Sequence, residues 1–210
     1  MTAFCKYLPL FLFTYFVPHQ SQAFTMSNHF YADGALGWSS LASSHVEPYR
    51  FKDKRYFGYR LAMGYLFSLN EQVHIGPEVG YGFYGQTSYL NASGLISNYK
   101  LDAWTLLMAL KYQPTEFLNL YLKGGLSDAS QKLNIVGPNV TPGGFYQQDV
   151  KPALVAATSY QLTNQAEVMV SYTHIFANKA PLTSNQQFTF TNVNQISSVN
   201  AVMIGLVYFV

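Results

Sequence analysis

The 210-residue chain is 49% hydrophobic and 17% aromatic but only 10% charged, whereas a soluble domain carries roughly 25% charged residues, so water covers its surface poorly. Its mean hydropathy of +0.04, with no apolar run past residue 20 that nears the roughly 18 residues of a spanning helix, excludes a helical membrane protein. A formal charge of +2, scattered along the chain apart from one loop, does not suggest a nucleic-acid binder.

The chain starts with a short basic stretch, Met1 to Lys6, followed by an apolar run of 11 residues from Tyr7 to Val17. That run is too short to cross a bilayer, and Ser21-Gln22-Ala23 supplies the small residues that signal peptidase reads. Residues 1–23 are therefore expected to be a secretory signal peptide cleaved after Ala23, with residues 24–210 as one mature domain. Cys5, the single cysteine, falls inside the leader. The mature part is left with neither a disulfide nor a cysteine metal site.

Four segments then end alike, at Ala62-Met-Gly-Tyr65, Ala109-Leu-Lys-Tyr112, Ala157-Thr-Ser-Tyr160 and Gly205-Leu-Val-Tyr208, with tyrosine spacings of 47, 48 and 48 residues. A fixed period of this size signals one repeated supersecondary unit. Each unit holds a short turn, a period-two run, a longer polar stretch and a second period-two run. The short turns fall at Asn70 to Gln72, Pro114 to Glu116 and Thr163 to Gln165. The long loops are expected at Ala42 to Arg55, Gly85 to Asn98, Ala129 to Gln148 and Ala177 to Gln195. Strict short–long alternation is the mark of an outer-membrane barrel, with tight periplasmic turns and long external loops. The count gives an all-β, eight-stranded antiparallel up-and-down transmembrane β-barrel with both termini in the periplasm.

Within the strands, Phe57, Tyr59, Leu61, Met63, Tyr65, Phe67 and Leu69 share one face, and Gly58, Arg60, Ala62, Gly64, Leu66 and Ser68 share the other. Val79, Tyr81 and Phe83 oppose His74, Gly76, Glu78, Gly80 and Gly82. Leu118, Leu120, Leu122 and Leu126 oppose Asn119, Tyr121, Lys123 and Gly125. A charge thus recurs on the small-residue face, which is read as the lumen. Asp33, Arg60, Glu78 and Lys123 are expected there as a structural network of paired charges, because a narrow interior tolerates no unpaired ones. Leu66, Leu107, Val155 and Phe209 also point inward in this register, which argues for plugged ends over the rival reading of a narrow small-solute channel. Tyr65, Tyr112, Tyr160 and Tyr208 are expected to form a girdle at the periplasmic interface, with Trp38 and Trp104 toward the opposite one.

The C-terminal Gly205-Leu-Val-Tyr208-Phe-Val210, Gly58-Tyr-Arg-Leu61 and Glu78-Val-Gly-Tyr-Gly82 resemble the OmpA-like and opacity-type small outer-membrane barrels, over the whole mature chain. The resemblance implies insertion by the outer-membrane assembly machinery, which in that family reads a terminal strand ending in an aromatic residue. Here Val210 is last and Phe209 lies one place early, so the signature departs from the pattern. It further implies a barrel alone, without the peptidoglycan-binding domain of longer members.

Other chemistry is weaker. Gly80-Tyr-Gly82-Phe-Tyr-Gly85 has dinucleotide-loop spacing, but no helix is expected to follow and hold a pyrophosphate. Tyr172-Thr-His174-Ile-Phe176 is similar to a stretch of the lipid A 3-O-deacylases, yet Phe176 stands where that chemistry needs serine and no carboxylate follows Glu167. The five histidines lie on different elements and give no metal site. No cofactor is expected. Asn91-Ala-Ser93 and Asn139-Val-Thr141 match the glycosylation pattern by chance. Arg50, Lys52, Lys54 and Arg55 form the one basic cluster, a candidate contact for lipopolysaccharide phosphates or an acidic host glycan. The expected function is that of a non-enzymatic surface protein acting through its loops in envelope integrity, adhesion or host contact.

Overall fold

The computed structural model describes residues 29–41, 50–51, 56–90, 96–136, 143–177 and 196–210; the expected leader lies outside them. The strands are β1 (His29–Leu41), β2 (Arg50–Phe51), β3 (Tyr56–Ser68), β4 (Val73–Leu90), β5 (Ile96–Tyr112), β6 (Leu118–Val136), β7 (Gly143–Thr163), β8 (Ala166–Ile175) and β9 (Val199–Phe209). Apart from β2, each pairs antiparallel with both its neighbours, and the ring closes where the first strand, β1, meets the last, β9. The result is the closed eight-stranded up-and-down barrel expected from the repeat. Closure leaves the membrane-level strands no unpaired edge, the condition for crossing lipid as strands.

The turn end is built from local chemistry. Asn70 Oδ1 accepts hydrogen bonds from the amides of Gln72 and Val73 at 2.9 and 2.8 Å, folding β3 back into β4. Thr115 Oγ1 does the same for the Leu118 amide at 3.1 Å before β6. Both are side chains that close a turn on their own backbone.

At the opposite end the expected second and third loops are largely strand, which corrects the sequence reading. Strand β4 continues to Leu90 and β5 begins at Ile96; β6 continues to Val136 and β7 begins at Gly143. These extensions lie beyond the apolar belt, where the outward face need not be apolar, so pairing persists without the outward apolar row that marks the wall in sequence. The exit is made at a bulge between Phe83 and Gln86, where Gly85 adopts φ 97°. A Cβ there would collide with the Tyr56 Cβ, so only glycine fits. The two-residue β2 extends the same projection, pairing Arg50 with Leu90 and Phe51 with Tyr89.

The outside of the wall is a continuous apolar belt. Leu36, Leu61, Leu106, Leu122, Ile204 and Leu206 are each more than half exposed, at 54, 59, 63, 51, 58 and 58%. A belt running round the whole barrel far exceeds the apolar patches that soluble proteins leave to water, and lipid is the solvent that suits it.

Candidate functional site

The lumen is the first candidate, and its geometry follows from strand parity. Arg60 on β3 reaches Asp33 on β1, with Nη1 at 2.9 Å from Oδ1 and 3.2 Å from Oδ2, and its Nη2 bonds Glu78 Oε1 on β4. Lys123 on β6 closes the ring, bonding Asp33 Oδ2 at 3.1 Å and Glu78 Oε2. Tyr31 OH donates to the same Glu78 oxygen at 2.7 Å. Its ring fits because Gly64 faces it: a Cβ at Gly64 would lie 2.7 Å from the Tyr31 ring. Two cations and two anions alternate around one layer, each at most 3% exposed, so the buried charges cancel.

A second cluster lies at the turn end and was not singled out from the sequence. Lys111 Nζ on β5 stands 2.6 Å from Glu167 Oε1 on β8. Tyr121 OH and Ser159 Oγ donate to Glu167 Oε2 at 2.8 and 2.5 Å. The Lys111 ammonium also sits 4.3 Å from the centre of the Phe209 ring. Parity was available as a signal, since Lys111 precedes the outward Tyr112 and Glu167 shares a face with Met169, Ser171 and Thr173. What the local pattern lacks is the pairing across the lumen.

Apolar packing flanks the charged layer. Toward the turn end, Tyr31, Leu66, Tyr121, Met169, Val207 and Phe209 form one buried cluster. Toward the loop end, Tyr84, Leu101, Ile175, Ile196, Val199 and Met203 belong to another. Leu66, Leu107, Val155 and Phe209 are 1, 3, 1 and 7% exposed. An interior filled in this way is the ordinary state of a barrel of eight strands.

The sequence itself supplies an independent finding: the profile of the outer membrane protein beta-barrel domain family matches residues 10–208. The chain belongs to that family. Among solved structures it is similar to a major outer membrane protein of Thermus thermophilus, at 14% identity and TM-score 0.58, over 88% of this chain and 100% of that one. OprG of Pseudomonas aeruginosa follows at 11% and 0.53, over 88% and 97%, and Neisserial surface protein A at 13% and 0.52, over 86% and 96%. At such identities the likeness is one of fold. No curated protein matches the chain. Family and fold together place it in the bacterial outer membrane.

In this family member two sets of outward aromatic side chains stand at opposite ends of the wall. Tyr65, Tyr112, Tyr160 and Tyr208 lie at the turn end on the outer surface; Tyr65 is half-buried and the other three are 37, 56 and 51% exposed. Phe117 stacks on Tyr160 there at 6.0 Å. Trp38 and Trp104 lie toward the loop end, 64 and 59% exposed, and Trp104 packs 5.1 Å from Tyr81. From the register of Trp104 toward the loops the outer surface turns polar: Asp128 pairs with Trp104 itself, Asp102, Ser130 and Gln148 follow one step further on adjacent strands, and Gln148 Nε2 donates to Asp128 Oδ2 at 2.5 Å. Of the basic cluster, Arg50 lies in β2, while Lys52, Lys54 and Arg55 fall outside the described residues. Among the described residues no group of metal-ligating side chains gathers.

Proposed function

We propose that this outer-membrane barrel is a non-enzymatic surface scaffold that holds a projecting sheet and its loops outside the cell, for adhesion, contact with host molecules or envelope integrity. The observation that carries the reading is the contrast between a lumen packed with apolar clusters around a neutral charge layer and a loop end that extends as paired strands well past the wall. Rigid scaffold below and variable contact surface above is the usual division of labour. The two aromatic sets would sit at the two membrane interfaces, and the assembly machinery would insert the chain through β9. The deacylase-like stretch supports no catalysis: His174 Nδ1 lies 2.8 Å from Asn200 Oδ1 rather than from a carboxylate, and Phe176 packs beside it.

The contact is assigned to the first loop, whose Arg50, Lys52, Lys54 and Arg55 would engage a polyanion by charge. Cells displaying the protein should bind an immobilised sulfated polysaccharide in a salt-sensitive way. Replacing all four with alanine should abolish the binding and leave the heat-dependent gel shift of the folded barrel intact. Undiminished binding by that variant would overturn the loop assignment.

A further inference from the structure

A cleft of about 580 Å³ opens on the outer surface of the wall, lined by Trp38, Ser39, Ser40, Asn200 and Val202. The register places its residues in two rows. Trp38 pairs with Val202 and Val202 with Tyr172; one step nearer the loop end, Ser40 pairs with Asn200 and Asn200 with His174. The lower row is aromatic and aliphatic. The upper row offers a hydroxyl, an amide and an imidazole, all on the lipid-facing parity of β1, β9 and β8.

These polar groups form a connected set. Tyr172 OH donates to Asn200 Oδ1 at 2.6 Å, and His174 Nδ1 lies 2.8 Å from the same oxygen. With Oδ1 twice engaged, the Asn200 NH₂ is the part of the amide left to donate to something else. Polar groups aimed at hydrocarbon are costly, so the upper row belongs at headgroup depth and the lower row at the start of the acyl chains. Charge also distinguishes this side of the barrel. Among the described residues no carboxylate faces outward from β8, β9 or β1, since Asp33 and Glu167 both point into the lumen, whereas Asp102 and Asp128 face outward across the barrel.

We propose that this cleft binds an outer-leaflet glycolipid with a phosphorylated sugar headgroup. The indole of Trp38 provides a flat face for the sugar ring, as aromatic side chains do at membrane interfaces. Ser40 and Asn200 meet the hydroxyl and phosphate oxygens, with the Asn200 amide held in place by Tyr172 and His174 on β8, and Val202 meets the first methylenes of an acyl chain. The inference rests on Trp38 lying at the outer interface.

Trp38 and Trp104 are the chain's only two tryptophans, so a Trp104→Phe background makes indole emission report on the cleft alone. That protein is reconstituted into phosphatidylcholine vesicles, then into vesicles carrying added lipid A or, separately, added phosphatidylglycerol. Trp38 should show interfacial emission in phosphatidylcholine and a saturable further shift with lipid A. The shift should be absent with phosphatidylglycerol and lost in Asn200→Ala/His174→Ala, whose folding the gel shift verifies. Water-like emission in plain vesicles would overturn the interface placement, and the inference with it. Interfacial emission that ignores lipid A, responds equally to phosphatidylglycerol or survives the double substitution would overturn the cleft assignment alone.

Discussion

Strands β4 to β7 pass through two surroundings, and the contrast shows what a strand pattern records. At the level of the wall, β5 alternates strictly: Trp104, Leu106, Met108 and Leu110 face out while Thr105, Leu107, Ala109 and Lys111 are buried. Further toward the loops the same strand pairs just as regularly, Lys100 with Lys132 and Asp102 with Ser130, yet its outward side chains are polar. The hydrogen-bond ladder is the same in both places. The chemistry of each face is written by its solvent: Leu101 and Ala103 stay buried in alternation with Lys100 and Asp102, and only the outward apolar row ends with the belt.

Removing a buried charge at wall level should have the largest effect. Arg60→Met leaves Asp33 and Glu78 with Lys123 as their only cation in the layer and should cost about 3–5 kcal/mol, the usual penalty for halving a buried pair. Lys151→Met, which removes the partner of the exposed Asp149 at the loop end, should cost only a small fraction of that, because water screens such a pair. Urea unfolding of both variants in vesicles measures the difference.

A smaller contrast belongs to the outer face. Leu122→Arg places a charge in the lipid belt and should cost about 2–4 kcal/mol. The same change at Ser130, on the same strand and the same outward parity but above the wall, should fall within about 0.5 kcal/mol. Equal costs at the two positions would mean that the boundary lies elsewhere.

The smallest effect is one of acidity. A hydrogen bond from the Lys151 ammonium, 2.5 Å away, holds the Asp149 carboxyl below its ordinary range. A group depressed on folding contributes above its unfolded value and loses that contribution as pH falls through its folded one. Wild type and Lys151→Met should therefore differ slightly in melting temperature at neutral pH and converge in strong acid.

Much of the wall was legible because it is repetitive. The tyrosine period counted the hairpins, the short turns carried their own closing side chains, and a period of two located the inward Asp33, Arg60, Glu78 and Lys123, which the structure brings into one layer. What was illegible depends on partners distant in sequence or on a face that lipid does not touch. Lys111 and Glu167 are 56 residues apart and meet only across the lumen. The projections of β4 to β7 read as loops because polar residues such as Gln86, Ser130, Lys132 and Gln148 replace the outward apolar row that marks the wall. The Asn200 cleft is made by β1 and β9, the first and last strands of the ring.

The claim that the barrel is a packed scaffold is tested most directly by single-channel recording of the refolded mature protein in a planar bilayer, with folding checked by its heat-dependent gel shift. A packed scaffold gives a heat-shifting protein that passes no current. Stable, reproducible openings that vanish when Glu78 or Arg60 is replaced would contradict it and make the lumen a channel.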